Sequence, residues 1–412
     1  MPDRTRLTRS SAARVAGSHG DPLIGHISSN AVITRPLDGS ADVRRQSLVT
    51  DIESMSRTRD TELELALPGH GAAITETSPG RLREDGHQQM SNATSTEPFT
   101  SPPARFGVLL PTFDPMHTGQ VPPVIEAARH AEGLGFDAAW VGDHLWGHAP
   151  WLDSSVALAA AAAATERLML GFSVMLLGLR PPAWAAKQIQ SIDALSGGRL
   201  TVGVGVGGEY PEEFEAAGVP VGTRGKRVDE ALSVLPDLLL GRRVDFDGQA
   251  LAVHANPLAP AMGRLPRILI GGRGDVALRR AVRFGDGWLP MWLSPDQLIE
   301  RGGRLRELAA ATGRPEPSIT LLILVHVDQD LERSRREAVE HLEGQYKLPL
   351  HVVERWAALG PPEHVAEELQ RYLDAGAGEL ILMTLGSAPL IQYERLAEVC
   401  GLLRKTVARA GR

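Results

Sequence analysis

The chain is nearly without cysteine: Cys400 stands alone in 412 residues. A single thiol excludes a disulfide framework and a thiolate-built zinc site, and it suits a reducing compartment. No apolar run reaches the roughly 18–20 residues that span a bilayer. The stretch SVALAAAAAATERL, residues 155–168, comes nearest and is ended by Thr165, Glu166 and Arg167. The N-terminus has no apolar h-region, so no secretory signal is expected. Excess positive charge is also missing. The formal net charge is −7, so neither nucleic acid nor an anionic membrane is an expected partner. A cytoplasmic protein is the expectation.

Aromatic residues are scarce at one end. All seven Trp and all four Tyr follow residue 104, and the first 104 residues hold Phe99 as their one Phe. That segment is rich in Ser, Thr, Arg, Asp and Pro and has no sustained period of 2 or 3.6. It cannot bury enough apolar surface to offset the entropy of ordering. A disordered extension over residues 1–104 is therefore expected, with Met55 and Met90 as alternative starts.

Residues 105–412 alternate. Apolar strand-like runs fall at 106–111, 137–144, 167–176, 199–206, 266–272, 286–291, 318–327 and 379–385, and helical patterns lie between them. Strands separated by helices argue for a parallel sheet. Eight such units argue for a closed (β/α)8 TIM barrel, with an insertion after strand 4.

The stretch RLTVGVGVGGEYPEEF, residues 199–214, contains Gly203, Gly205 and Gly208 in the order G-x-G-x-x-G. A dinucleotide loop needs the helix to begin at once after a full strand. Here the strand would shrink to three residues and Glu209-Tyr210-Pro211 delays any helix. Read as a strand, Val202, Val204 and Val206 share one face, while Gly203, Gly205 and Gly207 share the other. The glycine face either leaves room for a flat ring or balances bulky neighbours inside the barrel.

A barrel of this kind places its site at the C-terminal ends of the strands. Asp143-His144, after strand 2, is the acid/base candidate there, because an imidazole near its ordinary pKa exchanges protons at neutral pH. Gly271-Gly272-Arg273-Gly274-Asp275 forms a glycine turn opening a helix, where free N–H groups and the helix dipole favour a phosphate. His144 and His148 are four apart, but Gly147 and Pro150 place them in a loop, so no metal site is expected. No G-x-S-x-G elbow is present, and Lys187, Lys226, Lys347 and Lys405 all fall on helices or loops rather than at strand ends.

Five segments, RFGVLLP, AEGLGFDAAWVGDHLW, ERLMLGFSVMLL, IQSIDALSGGRLTVGVGVGGEYPEEFEAAGVP and ILIGGRGDVALRRAVRFGDGWLP, together resemble the bacterial luciferase-like oxidoreductase superfamily. The resemblance implies a (β/α)8 barrel that binds FMN or a deazaflavin coenzyme of the F-420 type. It implies that Asp143 and His144 lie beside the reactive ring, with His144 as proton donor or base. It implies a non-prolyl cis peptide at Ser173-Val174 forming a bulge behind the ring. It matches Val206, Gly207, Gly208 and Glu209 to a ring-and-catalytic segment, with an extra Gly ahead of the Glu. It assigns the turn from Gly271 to Asp275, Arg273 included, to the cofactor phosphate.

Trp146, two residues after His144, takes the place of the aromatic that follows the Asp-His pair in the deazaflavin branch. The reading therefore favours hydride transfer with the deazaflavin coenzyme on a small organic substrate. The alternative is an FMN-dependent monooxygenase fed by a separate flavin reductase. A non-catalytic flavin-binding or structural barrel subunit is the alternative of another class. A homodimer is the family expectation. The insertion 209–223, the hairpin-like 244–255 and the stretch 344–360 are expected to wall the pocket.

Overall fold

The structure, a computed structural model, describes residues 104–410. The extension predicted to be disordered, with Met55 and Met90, lies outside the described residues.

Runs of Val, Ile and Leu form the strands. β1 (Arg105–Leu109), β2 (Ala138–Val141), β3 (Met169–Leu176) and β4 (Leu200–Gly205) come first. A hairpin of β5 (Val244–Asp247) and β6 (Ala252–Ala255) follows. Then come β7 (Arg267–Gly271), β8 (Gly287–Leu289), β9 (Ser318–Val327), β10 (Ala357–Gly360) and β11 (Glu379–Thr384). Leaving the hairpin and β10 aside, eight strands pair in parallel in the order β1-β2-β3-β4-β7-β8-β9-β11, and β11 returns to β1. The sheet is a closed barrel, as expected. β8 pairs with the first residues of β9 only, and β10 takes the same edge of β9 further on, from Leu324 to Val327.

The helices are α1 (Val124–Gly133), α2 (Ser154–Ala164), α3 (Pro182–Ser196), α4 (Pro211–Ala216), α5 (Arg224–Leu239) and α6 (Asp275–Phe284). They continue with α7 (Pro295–Ala311), α8 (Leu331–Gln345), α9 (Leu350–Val353), α10 (Pro362–Asp374) and α11 (Pro389–Ala410). Their ends follow local chemistry. Asp153 caps α2 by accepting from the Val156 N–H, Ser294 and Gln297 form a capping box on α7, and Gly197 ends α3 at φ 68°. None of the described helices is long and apolar enough to cross a membrane.

Two apolar layers result. Val108, Val202, Val204 and Ile270 pack outward with Ile189 and Leu235 of the helices. Leu109, Trp140, Leu269, Leu289, Leu322 and Ile381 fill the interior. Trp140 needs its neighbours small. A Cβ on Gly171 would lie 2.2 Å from its Cε3, and one on Gly107 2.6 Å from its Nε1.

The hairpin of β5 and β6 packs on the helical layer. Its turn lies on the outer helix α5, where the Glu230 carboxylate accepts from the N–H groups of Gln249, Ala250 and Leu251. The insertion after β4 contains α4, a short helix started by Pro211.

Candidate functional site

The end of β2 delivers Asp143 and His144 to the barrel mouth in two different states. Asp143 is buried with both oxygens filled. Arg180 reaches them from the loop after β3, with Nη1 2.6 Å from Oδ2 and Nη2 2.8 Å from Oδ1. Ser154 Oγ donates to Oδ1 at 2.8 Å and the Leu176 N–H to Oδ2 at 2.7 Å. Bidentate pairing of this kind fixes direction as well as charge. Asp143 thereby ties the end of β2 to the end of β3 and to the start of α2.

His144 is held by a residue that the sequence did not single out. Its Nδ1 lies 3.1 Å from Oε1 and 3.2 Å from Oε2 of Glu213, on α4. Glu213 is fully buried, and its Oε1 also accepts from the N–H groups of Leu145 at 2.7 Å and Trp146 at 3.2 Å. The imidazole edge meets Trp151 at 4.8 Å and Tyr210 at 5.1 Å between ring centroids. Tyr210 in turn meets Trp146 and His148 edge-on. Burial disfavours charge on His144. The Glu213 hydrogen bond and the carboxylates of Glu209, Glu213 and Asp143 outweigh it, so the pKa stands above the ordinary imidazole value. The signal for Glu213 was PEEFEAAG itself: a Pro-initiated turn of helix carrying a carboxylate beside the buried Phe214.

The cis peptide bond falls at Ser173-Val174, within β3, where the register against β4 shifts between Phe172 and Met175. This bulge decides between the two readings of the glycine strand. A Cβ on Gly203 would lie 2.2 Å from the Phe172 carbonyl oxygen, and one on Gly205 2.3 Å from Val174 Cγ2. Gly203 and Gly205 therefore make room for the bulge and are not themselves the bed of a ring. Val174 also reaches the neighbouring strand, since a Cβ on Gly271 would meet its Cγ1 at 3.0 Å. Ser173 Oγ is buried and makes no hydrogen bond among the described residues.

Beyond β4 the chain turns through Gly207 (φ 62°) and Gly208 (φ 107°), backbone that side chains rarely adopt. The turn presents Glu209, an exposed residue at the mouth. Crowding by protein around its carboxyl raises its pKa and Glu213 adds to the effect, while His144 and Arg273 oppose it. Val206 is half-buried and packs at the edge of the outer core.

The β7–α6 turn opens a helix as predicted. Gly272 stands at φ 112°, and its carbonyl accepts from Trp288 Nε1 at 2.7 Å. Gly274 is the N-cap of α6 and gives no side-chain cap, so the first N–H groups of the helix carry no side-chain acceptor there. Arg273 donates to the Trp292 carbonyl at 3.3 Å. Asp275 is paired with Arg301 of α7 at 2.7 Å. Across the mouth, Trp292 packs edge-on to Tyr346 and Trp356, from the stretch 344–360.

A parallel eight-stranded barrel with a cis-peptide bulge, an adjacent glycine turn and an uncapped helix at its C-terminal end defines a class of cofactor-binding barrels. The chain belongs to the luciferase-like monooxygenase family, whose model matches residues 104–379. An uncharacterized protein of Mycobacterium bovis is 39% identical over 168 residues, 41% of this chain and 58% of that protein. The match thus spans little more than half the length of that relative. An F420-dependent glucose-6-phosphate dehydrogenase of Nocardia farcinica is 32% identical over 309 residues, 64% of this chain and 88% of the relative. Among solved structures, an F420-dependent secondary alcohol dehydrogenase superposes with a TM-score of 0.64 at 20% identity, over 73% of this chain and 99% of that one, and shares the fold.

Proposed function

We propose that this chain is an oxidoreductase that binds a deazaflavin coenzyme of the F-420 type at the barrel mouth and transfers hydride to or from a small organic substrate. One observation carries the reading. Val174, at the cis-peptide bulge, lies against both the glycine strand β4 and Gly271, so the bulge and the phosphate-type turn form one continuous surface. The name of the 32% identical relative supports deazaflavin over FMN.

The residues fit such a group. Ser173 Oγ is a buried donor without a partner among the described residues, Gly207 and Gly208 let backbone approach closely, and α6 offers unpaired N–H groups to a phosphate. Ser173, Val174, Val206, Gly207 and Gly208 would hold the ring. The turn from Gly271 to Asp275 would hold the phosphate, with Arg273 adding positive charge. When bound, the coenzyme supplies or accepts the hydride. His144 holds the proton that accompanies it, at the mouth and within reach of the field of Glu209. Asp143, with both oxygens engaged by Arg180, Ser154 and Leu176, orients the loop that carries His144 and exchanges no proton itself. Glu209 contributes negative charge beside His144. Trp151, Tyr210 and Trp292 shut water from the mouth.

A homodimer and a cytoplasmic location complete the reading. Val121, Ile125 and Val156 are 79%, 48% and 68% exposed and line one apolar groove between α1 and α2, a surface that a second copy would cover. The lone thiol, Cys400, is buried and free.

The test is a pair of fluorescence titrations of the full chain, one with oxidised deazaflavin coenzyme and one with FMN. Tight deazaflavin binding with weak FMN binding supports hydride transfer. The reverse moves the protein to the FMN monooxygenases and implies a separate flavin reductase as partner. Binding of neither removes the oxidoreductase reading and leaves a structural barrel.

A further inference from the structure

Glu213 is an uncommon carboxylate. Its side chain is wholly inaccessible, and no Lys or Arg among the described residues forms an ion pair with it. The nearby guanidinium of Arg180 is spent on Asp143. A buried carboxylate without countercharge is strongly disfavoured, and two backbone N–H groups do not neutralise it. The one group that hydrogen-bonds to it and can carry positive charge is His144, whose Nδ1 faces both carboxylate oxygens. A carboxylate only accepts hydrogen bonds, so His144 Nδ1 is the donor. Among the described residues the hydrogen bonds of the imidazole are made by Nδ1.

We propose that Glu213 is a positioning residue of the site: it fixes the imidazole of His144 through Nδ1 and, by its buried charge, keeps the ring in the imidazolium form, which leaves the Nε2 proton as the one to be donated. The proposal rests on His144 serving the reaction described above. When Nε2–H gives its proton to the substrate atom that gains it, the ring becomes neutral and Nδ1–H stays on Glu213. The reverse reaction returns the proton to Nε2. Glu213 holds the imidazole through Nδ1 alone and touches neither cofactor nor substrate.

The charged and titratable groups facing the imidazole come from three elements. Glu213 stands on α4, Glu209 and Tyr210 in the turn after β4, and Asp143 beside His144 at the end of β2. Asp143 is already neutralised by Arg180, and Glu209 acts on the ring through its charge alone, whereas Glu213 also hydrogen-bonds to Nδ1. The elevated His144 pKa agrees with this arrangement.

The experiment reads His144 directly. The full chain, free of cofactor and labelled with nitrogen-15 histidine, is titrated by NMR as wild type, Glu213→Gln and Glu213→Asp. His144 is assigned by loss of its signals in His144→Ala. In the wild type at pH 7 both ring nitrogens of His144 should carry protons. In Glu213→Gln the titration midpoint should fall by at least one pH unit, and Glu213→Asp should recover part of the shift. In turnover, Glu213→Gln should lower kcat by about 10²-fold with cofactor Kd changed less than threefold. An unchanged His144 midpoint in folded Glu213→Gln overturns the proposal. So does a neutral His144 in the wild type at pH 7, which decides the matter even where the variants do not fold. Because the NMR arm needs no cofactor, failure of both cofactors to bind would remove the oxidoreductase reading while leaving the Glu213–His144 coupling measured.

Discussion

The side chain of Val174 occupies the space that a Cβ on Gly205 would need, with Cγ2 2.3 Å from that position. The glycine-rich strand is thus shaped by its neighbour across the sheet. Gly205→Ala should destabilise the protein by about 1–3 kcal/mol, the usual range for overpacking. Val174→Ala in the same chain should recover most of the loss, because the clash is with a side chain. Gly203→Ala meets the Phe172 carbonyl oxygen, which is backbone, so Val174→Ala should not rescue it. Urea unfolding of the two glycine variants, of Val174→Ala and of both double variants measures the two cycles.

Arg180 is the countercharge of a buried aspartate. Arg180→Ala should destabilise by about 3–5 kcal/mol, because Asp143 would be left charged and unpaired at 3% side-chain exposure. Arg180→Lys should recover less than half, since an ammonium cannot reach both oxygens at once. Replacing the pair together, as Arg180→Met with Asp143→Leu, should cost less than Arg180→Ala alone while abolishing the fixed course of the His144 loop. Thermal unfolding with a limited-proteolysis map of residues 142–151 separates these outcomes.

His341 gives stability a pH dependence. Burial first of all holds its pKa down to about 4, against an ordinary value near 6.5, and its ring packs on Phe113. The unfolded chain therefore takes up a proton before the folded one does. The contribution of the neutral buried ring is complete above about pH 6.5 and is lost as pH falls towards 4, by up to about 3 kcal/mol. His341→Gln should flatten the stability curve across that window. Urea midpoints between pH 4 and 7 for both chains give the comparison, and parallel curves would exclude His341 as the cause.

Much of the barrel was legible because its strands are fully buried and read as continuous Val, Ile and Leu runs, such as SITLLILVHV for β9 and ELILMT for β11. β10 was not legible. Four residues, AALG, carry no period of their own and become a strand only because β8 vacates the upper edge of β9. The α6 turn was legible since its signals are local: a strand, two glycines and a helix start. The partners of the Asp143-His144 pair were not. Arg180 and Glu213 meet it from 37 and 69 residues away, and the Pro-started helical turn beside Phe214 hints that Glu213 is buried without telling which residue it meets. The choice between the two readings of Gly203 and Gly205 likewise depended on Val174, on another strand.

In the proposed function the bulge, the glycine turn and the α6 turn bind a deazaflavin ring and its phosphate, while His144 serves the chemistry. Deazaflavin affinity of the wild type, Gly272→Ala and His144→Ala, compared side by side, separates binding from chemistry. Gly272 stands at φ 112° with a would-be Cβ 3.0 Å from Ala277 Cβ, so substitution there distorts the phosphate turn. The wild type should bind, Gly272→Ala should bind at least tenfold more weakly, and His144→Ala should change affinity less than threefold while its turnover falls. Equal affinity in wild type and Gly272→Ala, or no binding to the wild type, would contradict the proposed function.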